Sequence, residues 1–200
     1  MKSLTTVSTT SGSVLSVILI AAMPVAQAED APTGNWTGNV SGFLGYKSVD
    51  DNDWQDLDSQ IAIGVITDVR QHSWPVSIAA DFMLSGDVNE SGTNKDTAAI
   101  GEIHLGVRKV FTLNNSPFSP YIGGGVAFVS ANLEHENAGV STEEDDQATG
   151  TWVGAGTYYA ITPEFNIGLD VRYSKADVTI FNQEREAGGV STGISLGYHW

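Results

Sequence analysis

Residues 165–175 read FNIGLDVRYSK. Phe165, Ile167, Leu169, Val171 and Tyr173 fall on one parity, and Asn166, Gly168, Asp170, Arg172 and Ser174 on the other. Strict alternation marks a strand whose two faces meet different surroundings. At eleven residues the run is longer than most strands of soluble proteins. It matches the ~9–11 residues of a strand that crosses a bilayer at a tilt. Its polar face carries both an aspartate and an arginine, so the charged face needs enclosure and pairing if the apolar face meets lipid.

The same period recurs on both sides of this run. Toward the C-terminus, residues 189–200 read GVSTGISLGYHW, with Val190, Ile194, Leu196, Tyr198 and Trp200 on one parity. Toward the N-terminus, further alternating runs occupy residues 35–49, 59–70, 75–85 and 99–111. Two more, at 118–133 and 150–161, are rich in glycine, and their facing is not readable from the sequence. Together these make eight runs.

The connections alternate in length. Long polar segments follow the odd-numbered runs: DDNDWQDLD, GDVNESGTNKDTA, EHENAGVSTEEDDQA and ADVTIFNQEREA. Short turns, QHSW, TLNNSP and TPE, follow the even-numbered ones. Long outer loops and tight periplasmic turns between antiparallel strands are the pattern of outer-membrane barrels. Aromatic residues sort by height in this frame. Trp36, Trp74, Phe111, Phe118, Phe165 and Trp200 fall at the short-turn ends, and Tyr46, Phe82, Phe128, Trp152 and Tyr173 toward the long loops. Two aromatic bands are expected where amphipathic rings settle at the two lipid–water interfaces. The expected fold is therefore all-β, an eight-stranded antiparallel up-and-down transmembrane β-barrel.

The N-terminus has a different character. Lys2 is the only charge before Glu29, an apolar stretch spans Val14 to Met23, and Pro24 precedes Ala26-Gln27-Ala28. That order is the signature of a cleaved secretory signal peptide, here residues 1–28, leaving residues 29–200 as the barrel domain. The chain has no cysteine and a net charge of −15. Disulfides are thus excluded, and such acidity disfavours nucleic acid and anionic-lipid docking through basic clusters.

If the apolar parity meets lipid, the opposite parity fills the lumen. It carries Asp68, Arg70, Asp81, Glu102, His104, Arg108, Asp170 and Arg172. Eight strands leave an interior just wide enough for side chains, so these groups are expected to form a structural salt-bridge lattice in place of a pore. No histidine sits in a metal-like pair and no GxSxG elbow occurs, so neither a cofactor nor a metal is expected. Asp87, Asn89, Ser91 and Gly92 open like a calcium loop, but Ala98 stands where a bidentate glutamate would close it. The acidic connections read as solvated outer loops, with divalent-cation bridging to lipopolysaccharide or a basic partner as their functional use.

The leader, the eight alternating runs, the unequal connections and the terminal aromatic resemble the small outer-membrane β-barrel superfamily of Gram-negative bacteria. The resemblance is to its OmpA-barrel, OmpX and Ail type, and residues 43–85 look like an uncharacterised branch. The resemblance implies an integral outer-membrane address, contact with outer-membrane lipid and lipopolysaccharide, and insertion by the outer-membrane assembly machinery. Tyr198 and Trp200 correspond to the assembly signal, although the superfamily usually ends on phenylalanine. It also implies a non-enzymatic structural or surface-interaction role. A conduit for small apolar molecules through a thin wall at the glycine-rich runs is the alternative. A lipid A-modifying enzyme is the third reading, disfavoured because the His-x-Ser pair of lipid A deacylases is absent.

Overall fold

The computed structural model describes residues 35–92 and 94–200. The expected leader lies outside the described residues. Eight strands form a closed barrel: β1 (Trp36–Ser48), β2 (Ser59–Gln71), β3 (Ser77–Ser91), β4 (Asn94–Val110), β5 (Phe118–Asn137), β6 (Val140–Ala160), β7 (Phe165–Lys175) and β10 (Gly189–His199). Each pairs antiparallel with its neighbour in the chain order. The ring is closed by β10 against β1, from Asn39↔His199 to Ser48↔Val190. Closure removes the unpaired edge that no strand can leave exposed to hydrocarbon.

The segment 165–175 shows why the sheet closes as it does. Along β7 every odd residue is exposed and every even one from Asn166 to Ser174 is buried. The pattern is inverted relative to a soluble protein. Leu169 and Leu196 are 61% and 64% exposed, whereas Gln60, His104 and Arg108 are at most 1% exposed. An outward surface of Leu, Ile, Val and Phe around the ring is stable only against an apolar solvent, here the hydrocarbon of a membrane. All six aromatics expected at the short-turn rim are on the outside, several in edge-to-face pairs such as Trp36–Trp74 at 5.3 Å and Phe165–Tyr198 at 5.5 Å.

Three sequence expectations change. First, much of the second and third long connections is strand. Pairing of β3 with β4 runs out to Ser91↔Asn94, and that of β5 with β6 to Asn137↔Val140. The latter hairpin turns through Ala138 and Gly139, both at positive φ (49° and 82°), as a twisted two-residue hairpin turn requires. The barrel is therefore lopsided, with strands of 15 to 21 residues on the β3–β6 side and 11 to 13 elsewhere.

Second, the fourth connection is a hairpin of its own, β8 (Asp177–Ile180) with β9 (Gln183–Glu186), turning at Phe181 and Asn182. It lies in the outer mouth with a short helix from the first connection, α1 (Asp51–Trp54). Val178, Ile180, Trp54 and Leu57 are buried there against Ile100, Val129 and Leu133 of the wall. A segment read as polar loop is therefore an apolar plug.

Third, Trp152 belongs to no outer aromatic band. It is 2% exposed and points inward, as does Tyr121. The glycines of β5 and β6 make room for these rings: a Cβ on Gly123 would stand 3.1 Å from the Trp152 indole, and one on Gly156 would collide with the Tyr121 hydroxyl. Between these glycines β5 and β6 pair without a break, from Phe118↔Tyr159 outward to Asn137↔Val140.

Candidate functional site

Inside the barrel the inward residues of β2, β3, β4 and β7 converge on a chain of ion pairs. Arg108 donates from Nη2 to Asp81 Oδ2 at 2.7 Å and from Nη1 to Asp68 Oδ2 at 3.3 Å. Arg172 donates to the same Asp81 oxygen at 3.0 Å and holds Asp170 through Nε and Nη2 at 2.8 and 3.1 Å. Tyr121 donates to Asp170 at 2.5 Å and Tyr158 to Asp68 at 3.4 Å. Paired, multiply hydrogen-bonded charges of this kind are how carboxylates and guanidinia tolerate enclosure.

Arg172 links this chain to a second one. Its Nη1 lies 3.2 Å from His104 Nδ1. A guanidinium can only donate, so Nδ1 accepts and the ring carries its proton on Nε2, facing Glu102 at 3.7 Å. Glu102 in turn receives Ser174 at 2.6 Å and Lys47 at 3.1 Å. Trp152 stacks on His104 with ring centroids 5.4 Å apart, and the Arg172 guanidinium lies over Trp152.

Asp68, Asp81, Glu102, His104, Arg108, Asp170 and Arg172 are thus brought together. Arg70 is not. It faces inward on β2 but sits half-buried at the short-turn mouth, where no carboxylate among the described residues pairs with it. Sequence reasoning missed Lys47, Tyr121 and Tyr158. Lys47 was open to discovery, because it shares the inward parity of Ser41 and Phe43 against the outward Leu44 and Tyr46. The two tyrosines were hidden, since glycine neighbours gave no parity to read.

Above this network the plug is held by carboxylates from the expected loop clusters. Asp53 accepts from Glu186 N at 2.8 Å, Asp146 from Thr179 N at 2.7 Å and Glu144 from Phe181 N at 2.8 Å. The Thr179 amide, with that of Gln147, holds the Asp146 carboxyl below the usual carboxylate range. Trp54 donates from its indole to Glu186 O at 2.7 Å, and Lys47 reaches Ala187 O at 2.8 Å. The outward face of the protruding β5–β6 hairpin places Glu134 directly opposite Glu143, with Asn132 opposite Asp145 one step nearer the membrane. Asp87 and Asn89, from the calcium-like stretch, lie along β3; Asp87 bonds the next backbone amide and Asn89 bonds Asp56.

The C-terminal residue closes the seam. Gly38 and Trp200 exchange backbone hydrogen bonds at 3.1 Å, Thr37 Oγ1 donates to Trp200 O at 2.6 Å, and the indole lies over Gly38, where no Cβ would fit. Tyr198 stacks beside it.

A closed eight-stranded barrel with lipid-facing exterior, filled lumen and rim aromatics matches one family in sequence. Residues 13–200 fit the model of the outer membrane protein beta-barrel domain. The chain belongs to this family. Among solved structures, the outer-membrane β-barrel chain is similar to Ail, the attachment invasion locus protein of Yersinia pestis, in complex with the heparin analogue sucrose octasulfate. The two share 14% identity at a TM-score of 0.60, over 83% of this chain and 99% of that one. Neisserial surface protein A is similar at 15% identity and a TM-score of 0.51, over 83% and 96%. No curated protein sequence matches. At these identities the structures establish a shared fold, and the family establishes an outer-membrane β-barrel of the Gram-negative type.

Proposed function

We propose that this barrel is a non-enzymatic anchor and that its working surface is the acidic outer face of the β5–β6 hairpin, which binds lipopolysaccharide through bridging divalent cations. The observation that carries this reading is the cross-strand pair Glu134↔Glu143, flanked by Glu136 and Asp145. Like charges directly opposite one another are destabilising in a sheet. A divalent cation relieves that repulsion and leaves coordination positions for phosphate oxygens. The hairpin rises from the bilayer where lipopolysaccharide phosphates lie.

The Yersinia pestis protein was crystallised with a polysulfate, whereas here an acidic surface complements cations. The alternative, a conduit for small apolar molecules through the barrel wall, would not use the lumen, which ion pairs fill. Export by a cleaved leader (residues 1–28) and recognition of β10 by the assembly machinery through Tyr198 and Trp200 belong to the same proposal. The seam contacts of Trp200 support that last part.

The test has two stages. The protein should fractionate with outer membranes and migrate differently on a denaturing gel before and after boiling. Lipopolysaccharide should then co-purify with it in magnesium and be released by chelation. Replacing both Glu134 and Glu143 by glutamine should lower retention at least fivefold. Retention indifferent to both magnesium and the replacements would refute the bridging reading.

A further inference from the structure

The two ends of the lumen are not equivalent. The plug covers the outer end, but at the short-turn end the lumen opens into a cavity of about 400 Å³. That size lies within the ~300–1,000 Å³ range of small-molecule sites. Asp68, Tyr158 and Asn166 form its inner wall, and Arg70, His72 and His199 come to it from β2, the β2–β3 turn and β10.

Its charges are arranged by depth. Asp68 is held by Arg108 and Tyr158, which answer its charge. Every other inward cation of the barrel strands has a carboxylate: Lys47 has Glu102, Arg108 has Asp81 and Asp68, and Arg172 has Asp81 and Asp170. Arg70, two residues along the same face, has none among the described residues, although a guanidinium is the side chain best suited to grip a planar or tetrahedral anion. In the wall, Asn166 is 6% exposed, and its amide oxygen lacks a hydrogen-bond donor while its nitrogen is committed to Asn39. The cavity is larger than a bare inorganic anion needs, so beyond Arg70 it has room for an organic body.

From these features we infer that the mouth is a periplasmic binding site for a small organic anion. Arg70 takes its phosphate or carboxylate group, with the His72 and His199 rings at the rim, and the organic body of the ligand fills the cavity beyond. The plug restricts entry to the periplasmic side. This site is separate from the outer acidic hairpin and does not rest on the lipopolysaccharide reading.

The four histidines supply the test, since they occupy different levels: His72 and His199 at the mouth, His104 buried in the lumen and His135 on the outer hairpin. The full-length folded barrel in detergent micelles is titrated with glycerol 3-phosphate, with glycerol and inorganic phosphate as separate arms, while imidazole resonances are followed. Glycerol 3-phosphate should shift His72 and His199 saturably, leave His104 and His135 in place, and bind more tightly than either control. Arg70→Gln, with heat-modifiability unchanged, should weaken binding at least tenfold. Shifts that fail to saturate, that extend equally to His135, or that survive Arg70→Gln would overturn the site. Binding of inorganic phosphate as tight as that of glycerol 3-phosphate would overturn its assignment to an organic anion.

Discussion

The inner and outer halves of the lumen solve the same problem in opposite ways. Toward the periplasm, β2, β3, β4 and β7 send in charges that answer one another across the tube, with Asp81 gripped by both Arg108 and Arg172. Toward the outside, β4 and β5 send in Ala98, Ile100, Val129, Ala131 and Leu133, and the filling comes from inserted chain, Trp54, Val178 and Ile180. The first half is held by partners fixed on the wall itself. The second depends on two connections staying folded inside it. Damage should therefore be global in the first half and local in the second.

The largest effect is expected from Arg172→Leu, which strips Asp81 and Asp170 of a shared partner. Breaking an enclosed ion pair from one side costs about 3–5 kcal/mol. Urea unfolding in lipid vesicles should show that loss for the whole barrel; a change below about 1 kcal/mol would mean that the network is dispensable.

Ile180→Ala comes next. Truncating a fully buried isoleucine costs about 2–5 kcal/mol, but here it should appear as opening of residues 176–188 alone. Protease cleavage there should rise at least tenfold while the heat-modifiable band persists. Loss of the folded band would erase the distinction between the halves.

The smallest effect concerns Asp146. Its carboxyl is held below the usual carboxylate range by the Thr179 and Gln147 amides. Its contribution is thus complete above the unfolded-state value and is lost as pH falls through the lower folded value. Protection of the Thr179 amide from hydrogen exchange should be flat near neutrality and fall severalfold in acid. Asp146→Asn should be weaker at neutral pH and largely insensitive to acid, and an unchanged acid profile would remove Asp146 as the holder of β8.

The same contrast explains what could be read from sequence. Strands were legible where two solvents imposed parity, as in β7 and β10. Parity failed in β5 and β6 because Gly123, Gly154 and Gly156 declare no side, and Trp152 was assigned by height when the space left by these glycines had drawn it inward. The β8–β9 hairpin escaped notice because it turns on Phe181-Asn182, both at positive φ (52° and 55°), where glycine is the usual signal. Val178 and Ile180 did carry a two-residue period, but in a run too short to stand out from a loop. The charged lumen residues were legible by parity; their partners were not, because pairing across a tube depends on strand stagger.

The plug also has a bearing on the order of folding. Trp54 meets Glu186, and Lys47 meets Ala187, across 132 and 140 residues of chain. These contacts lie in or beside β1 and β10, the two ends of the chain that close the ring. Contacts of such separation carry a loop-closure cost that only a completed ring removes, so they belong to the slow, late stage of a high-contact-order fold. Burial of Trp54 is thereby expected to report ring closure, because a ring that has not closed on itself cannot seat it against Glu186.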